Sequence, residues 1–237
     1  MSTVIGLAKN EVIAVRKFPR LVLFDLDGTL LDSAPDMLAT VNRMRATRGQ
    51  GAMPLDELRP HVSRGSRAMS AAAFPELGGD VSPEMIREFL AIYEEELGRN
   101  SVLFGGVPEL LASIEADGAR WGIITNKPEY LAKQIMPQLG WESRSAIMLG
   151  GDTLPQRKPH PLPLLHAAEV LGEAIEDCVY VGDDQRDIDA ARAAGMRSVV
   201  ALWGYRGDSE IPEGWGGTAM ATTVHAMLEG QFWQALR

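Results

Sequence analysis

The feature that most constrains this chain is an apolar run that ends in two acids. Leu21-Val22-Leu23-Phe24 reads as a buried strand, and Asp25-Leu26-Asp27-Gly28-Thr29 follows it directly. In extended backbone, residues two apart point to the same side, so Asp25 and Asp27 leave the strand as neighbouring carboxylates. Gly28 permits a sharp turn behind them. Two crowded acids repel one another unless an opposite charge offsets them, and a divalent cation is the direct candidate. A lone Asp-x-Asp-Gly would be read as a strand followed by a turn. The rest of the chain shifts that balance.

Three further polar signals follow in order. Thr125-Asn126 ends the apolar run Trp121-Gly122-Ile123-Ile124, and Gly182-Asp183-Asp184-Gln185-Arg186-Asp187 ends Val179-Tyr180-Val181. Between them lies Arg157-Lys158-Pro159-His160-Pro161. All but the lysine come straight after a predicted strand. In an open parallel sheet, ligands bind at the carboxyl ends of the strands, so these signals converge on one rim.

The expected fold is α/β, a Rossmann-like parallel-sheet core with a helical cap inserted after the first strand. Strands are predicted near 21–25, 121–125, 146–149, 178–182 and 198–202, separated by helices near 107–117, 128–139, 161–171 and 185–194. Gly118, Gly140, Gly172 and Gly195 fall where these helices should stop, and Pro108, Pro128 and Pro161 where first turns tolerate proline. Residues 35–105 break the alternation. Met37, Val41 and Met44 recur at helical spacing, as do Ile86, Phe89, Leu90, Tyr93 and Leu97. An all-helical insert after the first strand rises from the rim where the polar signals gather, which makes it a natural lid, with hinges near 33–36 and 101–107. The expected division is a loose N-terminal extension over 1–20, a core of 21–34 plus 106–237, and a cap of 35–105. Residues 204–218 read as a loop near the rim, and about 222–236 as a short strand or helix closing the domain.

Asp25-x-Asp27-Gly28-Thr29, Thr125, Lys158 and Gly182-Asp183-x-x-x-Asp187 together resemble the four motifs of the haloacid dehalogenase superfamily of phosphotransferases. The likeness runs from about residue 20 to the end. Leu26 through Pro35, Thr125-Asn126-Lys127-Pro128 and Lys158-Pro159-His160-Pro161 are similar to the phosphoglycolate phosphatase group within it. Ser63-Arg64-Gly65-Ser66-Arg67-Ala68-Met69 and Gly214-Trp215-Gly216 look rather like the related N-acetylmuramic acid 6-phosphate phosphatases.

Phosphate monoesters repel nucleophiles, so a catalyst needs a cation, a placed nucleophile and a proton donor. Asp25 is placed to attack and form an aspartyl-phosphate, and Asp27 to protonate the leaving alkoxide and then activate water. The resemblance implies the same roles. It also implies Mg2+ held by the Asp25 carboxylate, the Asp27 carbonyl and the Asp183 carboxylate, an all-oxygen set that suits this metal. Asp187 would hold a metal-bound water or orient Lys158. Asp184 is either an exposed acid at a helix start or an outer support. Thr125 offers a hydroxyl and Asn126 a backbone N–H to a phosphoryl oxygen. Lys158 would neutralise Asp25 and the transferring group. Thr29 would brace the turn with Gly28, and Asp32 and Ser33 would cap the first cap helix. Arg64 or Arg67 could read a substrate carboxylate.

The expected activity is a magnesium-dependent phosphomonoesterase, with 2-phosphoglycolate as first substrate. N-acetylmuramic acid 6-phosphate, or sugar phosphomutase chemistry, is the alternative. A dehalogenase is disfavoured, because its pattern lacks the second acid that Asp27 supplies. The formal charge is 23 − 32 = −9, which argues against a nucleic-acid surface but not against a small phosphorylated metabolite. The hydrophobic content of 46% suffices for a sizeable core. No apolar run approaches the ~18 residues of a membrane span, and residues 1–20 do not read as a secretory signal, so a cytoplasmic location is expected. Cys178 stands alone and reads as a core residue. His61, His160, His166 and His225 show no zinc-ligand spacing.

Overall fold

The computed structural model describes residues 16–207 and 210–236. The chain starts with β1 (Leu21–Phe24) and a two-residue β2 (Leu31–Asp32), then enters helices α1 (Ala34–Thr47), α2 (Leu55–Leu58), α3 (Gly65–Ala73) and α4 (Pro83–Glu96). It returns through β3 (Val102–Leu103) and alternates α5 (Val107–Ala116), β4 (Arg120–Ile124), α6 (Glu129–Leu139), β5 (Met148–Leu149), α7 (Leu162–Leu171), β6 (Cys178–Gly182), α8 (Gln185–Ala193) and β7 (Arg197–Ala201). Strand β8 (Ala219–Ala221) and helix α9 (Gly230–Gln234) close it.

Six strands form one parallel sheet in the order β5-β4-β1-β6-β7-β8. The first strand is thus central, with its neighbours supplied by the runs before Thr125 and Asp183. Both faces are covered, which is why the strands read as unbroken apolar runs rather than alternating ones. Val22, Phe24, Val179 and Val181 point into the larger core, shared with α5, α6 and the cap. Leu21, Leu23, Cys178 and Tyr180 point the other way, against α7 and α8. Cys178 is buried as expected, and its burial pushes the thiol up to about 12.

The predicted strands and helices agree with the observed ones to within a residue or two. The two-residue strands β2 and β3, and the edge strand β8, are additions. Pairs this short carry no periodic signal. Gly140 and Gly172 end α6 and α7 in the left-handed conformation, as helix-stopping glycines do.

The helical insert is joined to the core by a narrow stalk. β2 and β3 pair antiparallel, Leu31 with Leu103 and Asp32 with Val102. Beside them, the fully buried Asp36 accepts hydrogen bonds from the N–H groups of Gly98 (2.8 Å) and Asn100 (2.6 Å) and from the Ser101 hydroxyl. One carboxylate thus ties the start of the cap to its end. Two expectations fail here. Ser33 occupies the cap position of α1, but its side chain makes no capping bond. Asp32 pairs instead with Arg59 (2.9 Å) and the Tyr205 hydroxyl (2.7 Å), so neither residue caps the helix.

Residues 1–15 of the expected loose extension lie outside the described residues. Its remaining part is docked: Phe18 is buried against Trp233, with ring centroids 5.3 Å apart. The Lys17 and Phe18 N–H groups each donate to Asp117 at 2.9 Å. No helix among the described residues is long and apolar enough to cross a membrane.

Replacing Asp36 by alanine strands buried donors on the far side of the stalk. It should lower unfolding stability by about 3 kcal/mol. An unshifted urea midpoint for Asp36→Ala would mean that this clamp carries no load.

Candidate active site

Parallel pairing brings the carboxyl ends of β1, β4 and β6 side by side, and the functional residues follow from that. Asp25 continues β1, its N–H donating to Val181 O at 2.9 Å. Thr125 continues β4, and Asp183 continues β6. The carboxylates of Asp25, Asp183 and Asp187 each present an oxygen within 4.8 Å of the other two, and all three residues are buried. The cluster therefore holds Asp187 beside Asp25 and Asp183, close enough both to a shared cation and to Lys158. Asp27 contributes no carboxylate to it; its side chain faces elsewhere.

Lys158 is the cation at the centre. Its buried ammonium lies 2.7 Å from Asp187 Oδ1 and 3.1 Å from Asp25 Oδ1, and it donates to the Tyr180 hydroxyl at 2.7 Å. Tyr180 in turn donates to Ile124 O at 2.7 Å, fixing the lysine from below. Burial pulls the Lys158 ammonium down, but Asp187 and Asp25 outweigh it and hold the group above its ordinary value. The Lys158–Pro159 peptide is cis.

One cation does not balance three buried acids. Burial first, then the charges of Asp25 and Asp187, drive the Asp183 carboxyl well above the usual carboxylate range. This occurs although Asp183 accepts from Thr29 Oγ1 (3.0 Å), Ser63 Oγ (3.0 Å) and the Tyr205 N–H (2.8 Å). Asp187 is pushed up to about 7, again by burial, with Lys158 opposing and Asp25 adding. The cluster is short of positive charge. A divalent cation with hard oxygen preferences fits that deficit.

Backbone close to Asp183 leaves no room for a side chain. A Cβ on Gly28, at φ +88°, would stand 2.2 Å from Asp183 Oδ2. A Cβ on Gly204 would stand 2.2 Å from Asp183 Cβ. The first glycine is legible in the motif. The second lies in the loop after β7, and only the fold brings it to the acid.

The remaining predicted residues divide. Thr125 is buried, and its hydroxyl accepts from the Lys127 N–H at 3.2 Å. The Asn126 side-chain amide donates to Lys158 O at 2.9 Å, linking the two loops. Asp184 is neither an exposed acid nor part of the cluster. It caps α8 in a reciprocal box with Asp187 and takes Arg186 through both oxygens, at 2.8 and 3.0 Å. Arg64 and Arg67 border the cavity. The Arg64 guanidinium is paired with Glu210 at 2.6 Å, and Arg67 donates to Val81 O at 2.6 Å.

Sequence reasoning passed over two residues beside Asp27. Lys127 places its ammonium 3.1 and 3.2 Å from the two Asp27 oxygens and donates to the Tyr93 hydroxyl of α4. Lys127 follows Thr125 at the spacing that puts side chains on one side of an extended chain, a usable signal. Tyr93 lies in the apolar stripe of a cap helix, where its hydroxyl looks incidental.

Between cap and core lies a cavity of about 340 Å3. Asp25, Asp27, Thr125 and Lys127 form its floor, and Val62, Met69, Phe89 and Leu90 give the cap side an apolar wall.

A parallel sheet bearing buried acids, a buried lysine and a threonine at its carboxyl rim, beneath a helical cap, defines a hydrolase of a recognisable class. The chain belongs to the haloacid dehalogenase-like hydrolase family, whose model matches residues 22–201. It is 56% identical over 217 residues to a phosphoglycolate phosphatase of Xanthomonas campestris, covering 92% of this chain and 98% of the relative. It is 42% identical over 200 residues to an N-acetylmuramic acid 6-phosphate phosphatase of Pseudomonas putida, covering 83% and 89%. The crystal structure of a predicted phosphoglycolate phosphatase from Haemophilus somnus superposes with a TM-score of 0.78 at 26% identity, covering 91% of this chain and 98% of that one.

The Gly204 contact yields a test of the acid cluster. Gly204→Ala forces Asp183 or the backbone beside it to shift, so the affinity of the cluster for a divalent cation, probed with magnesium by titration calorimetry, should fall at least about tenfold, or ~1.4 kcal/mol. Unchanged affinity in a folded variant would take Asp183 out of the cation site.

Proposed function

We propose that this phosphoric monoester hydrolase converts 2-phosphoglycolate to glycolate and phosphate through an aspartyl-phosphate on Asp25, with Mg2+ as its metal. The observation that carries the chemistry is the buried set Asp25–Lys158–Asp187–Asp183 at the rim. The substrate rests on the 56% identity to the Xanthomonas phosphoglycolate phosphatase.

In this reading, Asp25 Oδ attacks phosphorus while Lys158 offsets the charge that gathers on the transferring group. Leu26 N–H donates to Asp25 Oδ1 at 2.7 Å, which leaves the other carboxylate oxygen for the attack. Asp27 gives a proton to the leaving oxygen and later takes one from the attacking water. The Thr125 hydroxyl and Asn126 N–H hold phosphoryl oxygens. The metal would be held by the Asp25 and Asp183 carboxylates and the Asp27 carbonyl, and would supply charge neutralisation. Asp187 orients Lys158. Residues 35–105 act as the cap, and Arg64, with its charge offset by Glu210, and Arg67 border the cavity where substrate enters.

A second substrate is favoured by one observation. The cavity of about 340 Å3, with an apolar cap wall, has more room than a two-carbon acid fills. An N-acetylated sugar phosphate such as N-acetylmuramic acid 6-phosphate would use that wall. Comparing kcat/KM for it and for 2-phosphoglycolate decides between them. The preferred substrate should lead by at least about tenfold.

Asp25→Asn should abolish turnover and leave the fold intact. Activity within about tenfold of the unaltered enzyme, a loss of only ~1.4 kcal/mol, is too small for a missing nucleophile and would refute the assignment. Chelation by EDTA should stop the reaction and added magnesium should restore it. Full turnover in excess EDTA would remove the metal from the scheme.

A further inference from the structure

We propose that Lys127 is a specificity-determining residue that reads a carboxylate on the leaving group, and that Tyr93 of the cap holds it in place for this task. The inference rests on the reading above, in which the substrate carries such a carboxylate.

The placement comes first. Lys127 Nζ stands 3.1 and 3.2 Å from the two oxygens of Asp27, the residue assigned to the leaving oxygen. It is therefore on the leaving-group side of the floor, whereas Lys158 is paired with Asp25 on the phosphoryl side. In 2-phosphoglycolate the carboxylate carbon is joined to the ester oxygen through a single methylene. A group that sits beside Asp27 is beside that carboxylate too.

Donor capacity comes next. An ammonium has three N–H donors. The nearly equidistant Asp27 oxygens share one, and the Tyr93 hydroxyl takes another. The third is left for a ligand, and Lys127 borders the cavity. Of the other cations that border the cavity, Arg186 is paired with Asp184, Arg64 with Glu210, and Arg67 donates to the Val81 carbonyl, while Arg157 is exposed; none of the four is placed beside Asp27 as Lys127 is.

Burial supplies the discrimination. The Lys127 side chain is 3% exposed, so a carboxylate arriving there meets a cation largely stripped of water. A leaving group without that charge leaves a buried donor unsatisfied, and such sites reject the analogue that lacks the partner. Tyr93 contributes twice, through its hydroxyl and through its ring, whose centroid lies 4.5 Å from Nζ. Because Tyr93 belongs to α4 and Lys127 to the core, the reader is assembled only with the cap in place.

The test compares 2-phosphoglycolate with 2-hydroxyethyl phosphate, which keeps the two-carbon chain and replaces the carboxylate by an uncharged hydroxymethyl group. The readout is the ratio of their kcat/KM values, so a general slowing of the chemistry cancels. The unaltered enzyme should favour the carboxylated ester, and Lys127→Met should cut the ratio by roughly 10- to 100-fold. Tyr93→Phe, which removes one hydroxyl and keeps the ring, should cut it in the same direction by roughly threefold or more. A ratio preserved in folded Lys127→Met overturns the inference. If that variant does not fold, an unchanged ratio in Tyr93→Phe overturns it instead. A ratio near one in the unaltered enzyme removes the carboxylated substrate itself, and the inference with it.

Discussion

Three buried carboxylates held against one buried ammonium organise this molecule. Asp25, Asp183 and Asp187 come from two strand ends and the first turn of one helix, and Lys158 pairs directly with two of them. Like charges at such distances in a dry site repel strongly. The surroundings therefore hold them by hydrogen bonding rather than by apolar packing: Thr29, Ser63 and the Tyr205 N–H on Asp183, and the Asp184 N–H on Asp187. Nearly every loop at the rim donates to an acid, and that requirement shapes the loops.

The cap takes part in the same network. Ser63, in the turn before α3, donates to Asp183, and the Arg186 guanidinium donates to the Ser63 carbonyl. Tyr205 joins the stalk to the acids, since its hydroxyl meets Asp32 and the Ala34 N–H while its backbone N–H meets Asp183. Cap and core are therefore connected by polar contacts at the acid cluster as well as by the stalk. Directional contacts of this kind are discrete, so the cap has a defined seated position rather than a continuum of them.

Much of this could be read in the chain. The strands β1, β4 and β6 are apolar throughout because both sheet faces are covered, and each ends in the polar residues that mark the rim. The helical insert announced itself through Phe89 and Tyr93 at helical spacing. What escaped reading was set by contacts distant in sequence. Gly204 matters only because its backbone passes Asp183, and Tyr180 is one more apolar-run residue until Lys158 arrives over its hydroxyl. Ser33 and Asp32 suit a helix cap by residue type, yet Arg59 and Tyr205 compete for Asp32 and win. Lys127 lies in Thr125-Asn126-Lys127-Pro128, yet its role is set by residues far from that motif. Its partner Asp27 is 100 positions away, and Tyr93 is 34.

The stalk has a consequence for how such a protein can change over time. The insert leaves and re-enters the core through two adjacent strands, Leu31 against Leu103 and Asp32 against Val102. Topologically it is one long loop whose ends are already closed, so lengthening or replacing it adds little entropic cost to the sheet beneath. The cluster of acids stays put while the wall that faces the ligand is rebuilt. Inheritance can thus keep one reaction and exchange its clientele, with the ribbon as the point of exchange.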